Sequence, residues 1–136
     1  MKHIIALAAL AFTAGCAVSA DADAQTMAED QATLSAELSN YRPSGPPMSC
    51  VSLRNLRGNR SAGEGAIIFD GLSGKKWVNR PPAGCPELRA GRALKLQISG
   101  SQLCRGDIVS VYDPLTNVSS GSCGLGEFEP YQRQRR

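Results

Sequence analysis

Leu94, Leu96 and Ile98 alternate with Lys95, Gln97 and Ser99, the clearest period-two stretch in the chain and the pattern of a half-buried strand. The run Cys50-Val-Ser-Leu-Arg-Asn-Leu56 alternates in the same way, with Val51 and Leu53 on one side. Ala66-Ile-Ile-Phe69 and Lys75-Lys-Trp-Val-Asn-Arg80 flank Asp70-Gly-Leu-Ser-Gly74, whose composition is that of a turn, so the three pieces predict a hairpin. Asp107-Ile-Val-Ser-Val-Tyr112 reads as a further strand, and a last strand or coil follows Cys123 and ends at Tyr131. Residues 58–65 and 114–121 are polar and glycine-broken and read as loops. Pro81 and Pro82 stop the ladder because neither can donate a backbone hydrogen bond. Residues 50–131 are thus expected to form a small all-β domain, a curled sheet or partly open barrel.

Upstream the pattern changes twice. An apolar run over residues 4–14 follows Met1, Lys2 and His3, and its eleven residues reach roughly half the thickness of a bilayer core in helix. It reads as an export signal over residues 1–15, not as a membrane span. Thr13-Ala14-Gly15-Cys16 resembles the bacterial lipobox, with Thr13 where that pattern usually has Leu. The resemblance implies acylation of the Cys16 thiol by palmitate-type chains, and Ala17 in the following position implies sorting to the outer membrane, facing the periplasm. The alternative is ordinary cleavage after Ala20, behind Val18-Ser19-Ala20, or after Ala22, giving a soluble periplasmic or secreted protein.

Residues 16–49 then read as anchor and spacer. Five carboxylates, Asp21, Asp23, Glu29, Asp30 and Glu37, face the single cation Arg42. Thr26 and Glu29 have capping-box spacing, and Met27, Leu34, Leu38 and Tyr41 recur at helical intervals, so a short helix is expected from about Met27 to Tyr41. Pro43, Pro46 and Pro47 terminate it.

The domain is small enough to need covalent support. Cys50, Cys85, Cys104 and Cys123 allow three pairings. A nested set, Cys85 with Cys104 inside Cys50 with Cys123, staples neighbouring strands, and Cys50 with Cys85 plus Cys104 with Cys123 is the alternative. The gaps of thirty-four, eighteen and eighteen residues do not match a zinc site, and no Cys-x-x-Cys redox pair is present, so no metal or cofactor is expected.

Composition narrows the chemistry further. His3 is the only histidine and lies in the signal segment, which removes imidazole from any mature site. Ser61, Ser101 and Ser122 have no identifiable activator, and Asp70, Asp107 and Asp113 stand where aspartate caps turns. No catalytic residue is assigned, and the chain is not expected to be an enzyme. Ten cations face seven carboxylates between residues 50 and 131. Lys75, Lys76, Trp77 and Arg80, together with Arg54 and Arg57, form the candidate contact surface, since an aromatic beside cations can make a contact spot. The arginines of the tail over residues 132–136 can add to it. Nucleic acid is set aside as partner, because few aromatics are available to stack and the expected compartment holds little of it.

The series Cys50-Val-Ser-Leu-Arg-Asn-Leu, Trp77-Val-Asn79-Arg80, Cys85-Pro86, Leu103-Cys-Arg-Gly-Asp107-Ile and Cys123-Gly-Leu-Gly-Glu-Phe128-Glu-Pro130 resembles an uncharacterised family of small exported proteobacterial proteins. This chain has Pro81 where that family often has Leu after the Asn-Arg pair. The resemblance implies export and a four-cysteine scaffold, and it names no ligand. The expected function is an envelope lipoprotein with a structural or protein-interaction role, its partner an envelope protein, an anionic glycan or a lipid headgroup. A soluble periplasmic module for a small or polyanionic ligand is the alternative, and an enzyme of unrecognised class the third.

Overall fold

The computed structural model describes residues 17–89 and 91–135. The signal segment and Cys16 lie outside them. Helix α1 (Ala17–Leu38) is followed by β1 (Tyr41–Pro43), β2 (Cys50–Ser52), β3 (Leu56–Ser61), β4 (Ile67–Gly71), β5 (Lys75–Asn79), β6 (Ala93–Leu96), β7 (Gln102–Cys104), β8 (Ile108–Tyr112), β9 (Ser119–Gly124) and β10 (Phe128–Arg133).

The strands make three antiparallel sheets. The largest has the order β1-β10-β5-β4-β3, a pair is formed by β2 and β7, and β6-β8-β9 make the third. The main core lies between the large sheet and the two small ones, where Ile67, Phe69, Trp77 and Phe128 meet Val51, Leu103, Leu94, Val109 and Val111. A second, smaller cluster on the opposite face of the large sheet joins Ala62, Ala66, Ile68 and Val78 to Leu34 of α1, with Leu38 and Tyr131 at its margin.

The expectation of an all-β curled sheet or partly open barrel is corrected by this arrangement. The fold is mixed, one helix with open sheets. β1 and β3 remain free edges of the large sheet, and the small sheets pack on its face instead of hydrogen-bonding onto its ends. A real helix covers the other face. It also begins about ten residues before the capping box. Thr26 is an interior residue whose hydroxyl donates to the Ala22 carbonyl at 3.0 Å, so it caps nothing. The alanine-rich stretch before it has the intrinsic propensity to extend the helix. At the other end the helix stops at Leu38, and Tyr41 starts a strand.

The disulfides join Cys50 to Cys104 and Cys85 to Cys123, a third pairing that differs from both sets weighed on the sequence. Register explains the first bridge: β2 and β7 are neighbours, with Cys50 directly opposite Cys104. The second ties the irregular segment after Pro82 to β9. With partners separated by 54 and 38 positions in sequence, each bridge is worth roughly 4 kcal/mol in the chain-entropy account.

Asn79 is the one fully buried polar side chain of the main core among the described residues. Its amide group donates to the Gly126 carbonyl and accepts the Gly126 N–H, both at 2.8 Å, so it continues the ladder where no strand can. Asn79→Ala leaves both backbone groups unpaired and is expected to lower stability by about 2–4 kcal/mol. Urea denaturation checks this as a drop in midpoint at unchanged slope. Non-reducing peptide mapping of the native protein is expected to recover Cys50 linked to Cys104 and Cys85 linked to Cys123; any other linkage contradicts the fold.

Candidate functional site

Strand alternation divides the large sheet into two chemically different faces. Ile67, Phe69 and Trp77 point to the main core, while Ile68 and Val78 point to α1. Asp70 and Lys76, paired across β4 and β5, continue the helix-facing set. Arg60 on β3 joins them through its position opposite Ile68.

Burying Lys76, which is only 6 % exposed, requires partners, and α1 supplies the strongest. Its ammonium donates to Glu37 Oε2 at 2.8 Å and to the Glu37 carbonyl at 3.2 Å. Asp70 Oδ1 stands 3.8 Å away, and the Tyr41 ring centroid 4.6 Å. Arg60 closes the ring of charges, with Nη1 on Glu37 Oε1 and Nε on Asp70 Oδ2, each at 3.1 Å. The hydrogen bond from Lys76 holds the Glu37 carboxyl below its ordinary value of 4.5, against the opposing effect of burial, with the charges of Lys76 and Arg60 contributing.

A second clamp holds the middle of the helix. Asp30 accepts the Glu64 N–H at 3.3 Å in the turn between β3 and β4. A side chain at Gly63 would collide with that carboxylate, its Cβ falling 1.8 Å from Asp30 Cγ, and the backbone there has φ +83°. These contacts fix the helix direction. Asp30 lies over the β3–β4 turn and Glu37 over the opposite part of the sheet. Residues 20–29 are exposed and run beyond the turn, carrying Asp21, Asp23 and Glu29, while residues 17–29 span roughly 20 Å of helix.

The sheet end reached by the last helical turn is basic. Arg42 follows the first residue of β1, Lys75 begins β5, Arg133 ends β10 with Arg135 just beyond, and Arg57 lies at the irregularity near the start of β3. The antiparallel register brings these strand ends together: Tyr41 faces Arg133, Gln132 faces both Arg42 and Lys75, and Leu56 faces Gly71. Arg54 sits in the turn entering β3. All six are exposed, and none has a carboxylate within salt-bridge distance among the described residues. Arg133 lies over the Tyr41 ring at 5.6 Å and donates to its hydroxyl at 3.1 Å.

Two hollows open at this end. A polar one of about 430 Å³ lies among Asn40, Tyr41, Arg133, Gln134 and Arg135. The other, about 320 Å³ and mainly apolar, is lined by Pro46, Pro47, Met48, Trp77, Pro130 and Lys75. Gly71 is what lets Trp77 sit there, because a Cβ on it would come within 2.3 Å of the indole ring.

The candidate surface read from the sequence is therefore divided. Lys75, Arg54 and Arg57 belong to the basic end. Lys76 is on the helix-facing side and buried, Trp77 is a core residue with an edge on the groove, and Arg80 lies farther along and pairs with Glu129 at 3.2 Å. The sequence reading missed Arg42, which strand register alone brings beside Lys75. It also missed Glu37 and Asp70 as partners of Lys76. Asp107 accepts the Cys104 N–H at 2.7 Å and Asp113 the Leu115 N–H at 2.8 Å, so both serve turns. Among the described residues no three His, Cys, Asp or Glu side chains are placed to hold a metal, and no helix is long and apolar enough to cross a membrane.

Comparison with protein-family models, with curated proteins and with solved structures found no match.

The lowered carboxyl of Glu37 has a defined pH signature. A carboxylate whose folded-state value is depressed adds stability that is full above its ordinary value of 4.5 and is lost as pH falls through the lower folded value. The urea midpoint of the native protein is expected to fall as pH drops below about 4.5, and Glu37→Gln to flatten part of that fall. Equal pH slopes for the two proteins would contradict the assignment.

Proposed function

We propose that this chain is a non-catalytic interaction module of the bacterial cell envelope, which presents its basic sheet end to an anionic partner. The observation that carries the reading is the convergence of Arg42, Arg54, Arg57, Lys75, Arg133 and Arg135, from four strand ends and a turn, with no carboxylate partner among the described residues. Of the other cations of the domain, Arg60, Lys76, Arg80, Arg89, Arg92 and Arg105 each have a carboxylate partner, and Lys95 on β6 stands alone without one among the described residues. A surface that neutralises most of its other cations locally but gathers unneutralised ones at one end favours encounter with negative partners there.

Two disulfides support a location in an oxidising compartment. Acylation at Cys16 and outer-membrane attachment fit the direction of α1. An anchor at Cys16 would adjoin the end of α1 farther from the basic sheet end, and the cations would then face away from the anchoring leaflet. That geometry favours a cell-wall polymer or an acidic protein across the periplasm over the headgroups of the same membrane. Cleavage after Ala20 or Ala22 gives the soluble form of the same module.

Heparin serves as a generic polyanion for the test. The oxidised protein is expected to be retained on immobilised heparin at low ionic strength and released by salt, with the paired change Arg54→Glu and Arg57→Glu eluting at clearly lower salt. Lys95→Glu, exposed on β6 and outside the basic end, is the charge-matched control for a single change and is expected to elute close to the native protein. No retention at low salt, or equal losses per charge reversed, would count against a dedicated surface.

A further inference from the structure

We propose that the groove beside Lys75 is a docking site for an acidic peptide segment of a partner protein, which seats one bulky apolar side chain there. The inference rests on the basic end being the binding surface and names what that surface selects. The groove joins that surface through the sheet register. Arg42, Gln132 and Lys75 form one row across β1, β10 and β5, and Pro130 and Trp77 form the row two residues further on. Both rows share a face. An apolar trough therefore runs directly beside two exposed cations that have no carboxylate partner among the described residues.

The chemistry of the walls selects the occupant. Pro46, Pro47 and Pro130 have no N–H, and the N–H groups of Ser44 and Met48 are already given to the carbonyls of Pro130 and Phe128 at 2.9 and 3.0 Å. At those positions the trough has no backbone donor for an added strand. Sugar recognition needs a convergent set of polar groups, and the lining side chains provide only Ser44, Lys75 and the indole N–H of Trp77, a residue that is itself 5 % exposed. A volume of about 320 Å³ is at the bottom of the range for small-molecule sites and has room for one bulky side chain. Met48, half exposed on one wall, can adapt to its shape. Carboxylates flanking that side chain would meet Lys75 and Arg42, giving a desolvated apolar anchor ringed by charge.

Trp77 is the only tryptophan, so its indole N–H is an unambiguous NMR reporter of the groove. The oxidised protein is titrated at low ionic strength with blocked Glu-Asp-Leu-Asp-Glu, with the same peptide carrying Gly for Leu, and with heparin. The Leu peptide is expected to shift the Trp77 indole and Met48 methyl signals and to bind roughly tenfold more tightly than the Gly peptide. Lys75→Glu is expected to weaken the Leu peptide by a similar factor, and Lys95→Glu to leave it unchanged. Equal affinity of the two peptides, or binding that leaves both groove signals in place, overturns the docking site while the basic end survives as a plain electrostatic surface. Failure of heparin and both peptides alike removes the basic end as a binding surface, and the docking site with it.

Discussion

The arrangement depends on giving Lys76 somewhere to put its charge. A lysine at that strand position points into the face that must bury Ile68 and Val78, and an unpartnered ammonium there would cost several kcal/mol. The last turns of α1 resolve the conflict by bringing a carboxylate and a carbonyl from the same residue, Glu37, onto it. Leu34 and Leu38 then add apolar burial, worth about 1.5–3 kcal/mol for a fully buried side chain. The ion pair does more to orient than to stabilise. Combined with Asp30 at the β3–β4 turn, it allows the helix one direction across the sheet, and that direction separates an acidic helical extension from a basic sheet end.

How far the sequence revealed this depended on whether a segment is buried on one face, on both, or at an edge. β4, β5 and β8 were legible because their side chains are sorted by a core. β3 and β9 were not, since Gly58, Asn59 and Arg60 on one edge, and Ser119, Ser120 and Gly121 on another, have a solvent-facing polarity that resembles a loop. β1 was hidden in proline-rich sequence because only three residues pair. The helix stripe was partly readable: Leu34 is buried as its spacing implies, but Met27 is 72 % exposed, so the first member of the stripe faces solvent. The barrel expectation failed on a property no local pattern carries, whether the outer strands find each other.

The basic end was readable in part. Arg54, Arg57 and Lys75 stood out through proximity to a tryptophan and to one another. Arg42 and Arg133 lie at opposite ends of the domain sequence, and their approach follows from pairing of β1 with β10. Conversely, Lys75 and Lys76 are chain neighbours that alternation sends to opposite faces. Adjacency in sequence suggested one cationic spot, and the pleat of the strand makes them a surface charge and a buried tie.

The two bridges interleave: the loop closed by Cys50 and Cys104 overlaps the loop closed by Cys85 and Cys123. A chain that becomes accessible to oxidant from its N-terminal side offers Cys50 and Cys85 to each other before either true partner has emerged. That first bond uses one sulfur from each final pair, so it has to be undone by attack of a later thiolate before the sheets can close. A chain oxidised in that order therefore needs an isomerising step as well as an oxidising one, a demand that a consecutive pairing of the same four residues would not make.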